Sequence, residues 1–160
     1  MELLIQPRLT GEQLAGGIYG VVTAMAVIAV LASGSVHVAY MAGAAIATSF
    51  ALALTHVYSH WIVHSQGTAP HEGWRQLWKE QLPTLVGPLV IGLVMIAVKL
   101  VGASNVEAAE AAMWFAVATL FLLGFRVARV SERSLSRAFV LGLVDASIGA
   151  TIVLVKVIVH

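Results

Sequence analysis

Residues 38–64 read VAYMAGAAIATSFALALTHVYSHWIVH, with no Asp, Glu, Lys or Arg anywhere in the run. A helix that crosses a bilayer needs about 20 predominantly apolar residues, so residues 38–63 are expected to span. Working outward, residues 14–33, 83–102, 108–126 and 137–159 meet the same requirement. The expected fold is therefore all-α: a polytopic membrane protein with five transmembrane helices, forming a single transmembrane helical domain over residues 1–160. Composition agrees, with 59% hydrophobic and 11% charged residues in 160 and a mean hydropathy of +0.91. Soluble domains are nearer a quarter charged. The first span lacks a short apolar core followed by an A-x-A site, so it is expected to act as an uncleaved anchor.

Several chemistries are excluded at this level. With 0 Cys there is no disulfide, thiolate metal site or cysteine nucleophile. The basic residues flank spans and form no stripe, which gives nucleic-acid binding no support. No cofactor is expected.

Charge placement predicts orientation. Arg8, Arg75, Lys79, Arg126, Arg129, Arg133 and Arg137 all fall on one side if the chain crosses five times. Lys and Arg concentrate on the cytoplasmic side, so the N-terminus is expected in the cytoplasm and the C-terminus outside. Lys99 and Lys156 lie within spans near their opposite ends. In the longest loop, residues 65–82, Trp74, Leu77 and Trp78 recur at helical spacing among Arg75, Lys79 and Glu80. This predicts a short interfacial helix near 71–82, with Pro83 opening the third span.

The second and fourth spans carry AIATSFAL (45–52) and AVATLFLL (116–123). The third and fifth share Ile-Gly followed by Val-Lys at one offset: Ile91-Gly92 with Val98-Lys99, and Ile148-Gly149 with Val155-Lys156. One helix plus two repeated hairpins accounts for this pattern. Chance similarity in Ala/Val/Leu-rich text accounts for it equally well.

His56, His60 and His64 fall at i, i+4 and i+8 and therefore share a helical face. Counted from the cytoplasmic ends, Tyr19, His56, His60 and Asp145 have similar depths. Asp145 is the only acid deep in any span, so an imidazole of the second helix is its expected partner. Ionisable groups at such depth usually face the bundle interior. A Tyr–His–Asp proton relay or cation site is one reading; a hydrogen-bonded pair that fixes helix packing is the other. A metal site would use His56, His60 and Asp145, although three or four converging ligands are required. His37 and His160, both near the outer surface, are the remaining pair to weigh for haem. Lys99, Lys156, Glu107, Glu110, His37 and His160 form an outer polar cluster, in which snorkelling lysines pair with the glutamates.

Gly16, Gly17, Gly20 and Thr23 give the first helix a small-residue face suited to close helix approach. Pro88 predicts a kink or a carbonyl left free for bonding.

Ile18-Tyr19-Gly20, His56-Val57-Tyr58 and the ending Lys156-Val-Ile-Val-His160 resemble a group of small bacterial integral membrane proteins of unassigned function. The resemblance implies a multi-pass protein of the bacterial cytoplasmic membrane and draws attention to Tyr19, His56, Tyr58, Lys156 and His160. It implies no activity, and His60 and His64 lie outside its pattern. Two functions follow from the residues. One is a proton- or cation-handling channel or transporter using His56, His60, Asp145, Tyr19 and Tyr58. The other is a non-transporting accessory or assembly subunit of a membrane complex. An intramembrane enzyme ranks third, because no nucleophile–base set is recognisable. Beyond the lipid bilayer, the expected partner is a second copy of the chain or a larger membrane complex.

Overall fold

The computed structural model describes residues 11–32, 36–65, 74–131 and 133–159. They form five helices: α1 (Gly11–Leu31), α2 (Val38–Ser65), α3 (Trp74–Leu100), α4 (Asn105–Val130) and α5 (Leu135–Val159). Each contains a span apolar and long enough to cross a membrane: Gln13–Leu31, Val38–Ile62, Leu77–Leu100, Asn105–Val130 and Leu135–Ile158. At 1.5 Å per residue even the shortest is about 28 Å long, close to the ~30 Å hydrocarbon thickness. Among the described residues the structure is all-helical, with five helices of the length and hydropathy of a multi-pass membrane protein.

α1 is the central helix, with its backbone within 8 Å of all four others. Around it α2, α3, α4 and α5 follow in chain order, each against its sequence neighbour. Among the described residues α5 approaches only α4 and α1, so the arc is open between α2 and α5. Ala15, Tyr19, Ala26 and Val30, on one face of α1, are exposed along that opening.

The α1–α3 crossing is set by small residues and two prolines. Pro88 has no N–H, so the Thr84 carbonyl loses its partner within α3. That oxygen lies where a Cβ on Gly20 would stand, within reach of a Cα–H···O contact. One turn earlier, a Cβ on Gly16 would stand 2.8 Å from the Thr84 hydroxyl. On α3, a Cβ on Gly87 would stand 2.7 Å from the Val21 side chain. Gly16-xxx-Gly20 thus allows α1 to settle onto the segment of α3 whose backbone is left unsatisfied, the usual condition for proline inside a membrane helix.

α3 corrects one expectation. Residues 74–82 are not a separate interfacial helix: they are the first turns of α3, which runs unbroken through Pro83. Packing explains the difference. Leu77 is 3% exposed, and Trp78 stacks on Phe50 of α2 at 6.0 Å, so these turns join the bundle.

The core is apolar and runs along α1, with Met25, Ile28, Met41, Met95, Met113 and Leu120 fully enclosed. Ser49, buried on α2, gives its proton back to the Ala45 carbonyl at 2.9 Å. α4 begins with a reciprocal cap: the Glu107 N–H donates to Ser104 Oγ at 3.1 Å, and the Ser104 N–H donates to Glu107 Oε2 at 2.7 Å.

Candidate functional site

A cleft of about 620 Å³, with several polar side chains in its lining, opens between α1, α2 and the first turns of α3. Tyr19 enters it from α1, His56 and His60 from α2, and Glu80, Gln81 and Thr84 from α3. Helix periodicity explains the grouping. His56 and His60 are one turn apart, as are Glu80 and Thr84, and Tyr19 projects beside Gly16 and Gly20, which hold α1 close to α3. The Tyr19 and His56 rings meet edge to face, with centroids 6.2 Å apart and planes at 84°. The Thr84 hydroxyl donates to Gln81 Oε1 at 3.5 Å. An aromatic edge, two imidazoles, a hydroxyl, an amide and a carboxyl thus share one opening. Such a lining offers both donors and acceptors to a proton, a hydrated cation or a small polar ligand.

Further along the helices the bundle is filled by its apolar core. Beyond Tyr19 on α1, before His56 on α2 and beyond Thr84 on α3, that core includes Met25, Ile28, Met41, Ala45, Ile91 and Met95, with Ser49 the buried polar residue between Ala45 and His56.

Asp145 is elsewhere. Its carboxyl lies against Gly124 of α4, in the space a Cβ on that glycine would take. Its helix comes within 8 Å of neither α2 nor α3 among the described residues. The expected pairing of Asp145 with His56 or His60 is therefore not made within one chain among the described residues. Similar depth puts residues at one height, but it does not make their helices neighbours. Nor do His56, His60 and Asp145 come together as a metal site: among the described residues no group of three His, Asp or Glu side chains is placed to hold a metal ion. Tyr58 is also outside the cleft. It lies two residues from His56, on another face of α2, where it stacks on Trp61 at 6.3 Å. The side chain of His64 falls outside the described residues, as do His71 and His160.

The outer cluster divides into local contacts. Lys156, whose side chain is only 8% exposed, holds Glu110 Oε1 at 3.4 Å and ties α5 to α4. Lys99 donates to the Ala103 carbonyl at 3.2 Å across the end of α3. Glu107 caps α4. His37 contributes its carbonyl, which accepts the N–H groups of Tyr40 and Met41 at the start of α2. Lys99, Lys156, Glu107, Glu110 and His37 make these contacts separately, and the expected pairing of His37 with His160 lies outside the described residues.

Glu80 and Gln81 escape the sequence reading because residues 71–82 read as an interface helix, and Thr84 because it falls in the third span without a charge to mark it. The available signal was their spacing: Glu80, Thr84 and Gly87 occur at i, i+4 and i+7, on the face that carries the carbonyl freed by Pro88. No protein-family model, curated protein or solved structure matches this chain.

Proposed function

We propose that the chain handles protons or small cations across a bacterial cytoplasmic membrane, and that the cleft between α1, α2 and α3 is its binding site. The observation that carries this reading is the meeting of His56, His60, Tyr19 and Glu80 in one opening at the end of the bundle. Imidazole is the side chain whose ordinary titration falls between pH 5 and 8. Groups of this kind inside a membrane mark ion and proton routes. Arg75, Lys79, Arg126, Arg129, Arg133 and Arg137 flank the same end. By the positive-inside rule that end is cytoplasmic, and the cleft is an inward-facing site. The apolar core beyond it favours a gated or carrier-type cycle over an open pore.

A second reading, an accessory or assembly subunit, is favoured by the open flank between α2 and α5. A second copy or a larger complex would fill that flank.

Flux measurement separates them. Purified protein in liposomes should collapse an imposed pH or cation gradient faster than protein-free liposomes. His56→Gln and His60→Gln should each slow it by about ten-fold or more, as expected for loss of a proton-transfer group. Wild-type liposomes no leakier than empty ones from about pH 5 to 8, the imidazole range, would overturn the transport reading and leave the accessory one.

A further inference from the structure

A second groove, of about 510 Å³, runs between α1, α3 and α4. Its volume is within the range of ligand sites. No described residue of α2 lines it, and its lining shares no residue with that of the imidazole cleft. Its wall is graded along the membrane normal. Deep in it lie Val90, Val86 and Phe115; towards the mouth come Leu82 and Leu123; Lys79 stands at the rim. Val90, Val86, Leu82 and Lys79 follow one another at helical spacing along a single face of α3.

Two further basic residues lie one helical turn from the lining. Arg75 is one turn before Lys79 on α3, and Arg126 is one turn beyond Leu123 on α4, both at spacings that share a face. All three cations are exposed. None forms an ion pair with a described residue. The groove therefore offers an apolar slot with Lys79 at its rim and Arg75 and Arg126 one turn away in sequence, none of the three paired with a described acid.

We propose that this groove binds one anionic phospholipid, with an acyl chain between α1, α3 and α4 and its phosphate at Lys79, Arg75 and Arg126. The match is one of charge and polarity in the same order: anionic head at the rim, hydrocarbon below. Basic pockets between membrane helices recognise lipid head groups in this way. Guanidinium groups add bidentate contacts to phosphate oxygens. A zwitterionic lipid would fill the slot equally well but would gain less at the mouth. Inorganic phosphate would meet the charges and leave the slot empty.

Native mass spectrometry of the delipidated full chain in detergent tests this, using dioleoyl phosphatidylglycerol, dioleoyl phosphatidylcholine and inorganic phosphate as probes. The expected result is one tightly retained phosphatidylglycerol, bound several-fold better than phosphatidylcholine and not displaced by millimolar phosphate. Lys79→Gln should weaken it about five-fold, the effect of one cation near a head group, and leave phosphatidylcholine unchanged. Val86→Trp, at a position already exposed on the groove wall, should block the slot and weaken both lipids while the helical content stays constant. Equal retention of the two lipids would overturn the charged-mouth assignment. Displacement by phosphate, or indifference to Val86→Trp, would overturn the acyl slot.

Discussion

The Thr84 carbonyl oxygen occupies the position that a side chain on Gly20 would need. Pro88 removes the N–H that this oxygen would otherwise receive, so the two helices satisfy one another's irregularities. Gly20→Ala must push α1 away from α3 or distort the proline turn. Overpacking of this kind costs about 1–3 kcal/mol. Gly43→Ala is the internal control: a Cβ there meets nothing within 4 Å, and removing a mid-helix glycine should stabilise by roughly 0.5–1 kcal/mol. Thermal unfolding in detergent should place the two variants on opposite sides of wild type. Equal midpoints would contradict the crossing.

The continuity of α3 makes a separate claim about Leu77. A leucine on a helix lying at the membrane surface would be replaceable by alanine with little effect. At 3% exposure, within turns anchored by the Trp78–Phe50 stack, Leu77→Ala should cost about 2–5 kcal/mol, the range for buried leucines. Unfolding of this variant against the exposed Leu82→Ala distinguishes the two arrangements.

Lys156 and Glu110 join α5 to α4 near the ends of those helices, with the lysine almost covered and the glutamate half open. Glu110→Gln leaves an enclosed ammonium with no counter-charge. Its cost should fall at about 1–3 kcal/mol, between the limits for exposed and buried pairs. Lys156→Met replaces the long stem with an apolar one of similar reach and should be tolerated better. A double-mutant cycle should show the second substitution rescuing the first; strict additivity would mean that the contact contributes nothing.

What could be read from the residues alone follows from what one-dimensional spacing contains. Span length and hydropathy set the five helices, because a bilayer imposes a length requirement that residues 38–63 and the other runs meet individually. Gly16, Gly20 and Pro88 were recognisable as a close-approach face and a freed carbonyl. Their meeting across the α1–α3 crossing was not, since nothing local says which helix fills a groove. Asp145 shows the same limit. Counting residues from the membrane edge gave its height, but its neighbours depend on the order of helices around α1, which places α4 between α5 and α3. Glu80 was lost for a different reason. Pro83 read as a helix start, whereas inside a bundle proline is tolerated mid-helix when neighbours supply the missing contacts.

The position of Asp145 against Gly124 yields a test that joins stability to function. Gly124→Ala places a methyl group in the space of the carboxyl and should destabilise by about 1–3 kcal/mol. Asp145→Ala vacates that space, so the double variant should recover at least half of the loss, a coupling of the size seen between residues in direct contact. The same carboxyl lies on a helix that, among the described residues, does not approach α2. Asp145→Asn should therefore leave gradient dissipation within about two-fold of wild type, while His56→Gln reduces it by about ten-fold or more. If Asp145→Asn abolishes flux as completely as His56→Gln does, the α1–α2–α3 cleft is not a self-sufficient site. The carboxyl would then have to reach the imidazoles of a second copy across the open flank between α2 and α5, which cross-linking of a cysteine at residue 145 to one at residue 56 would report.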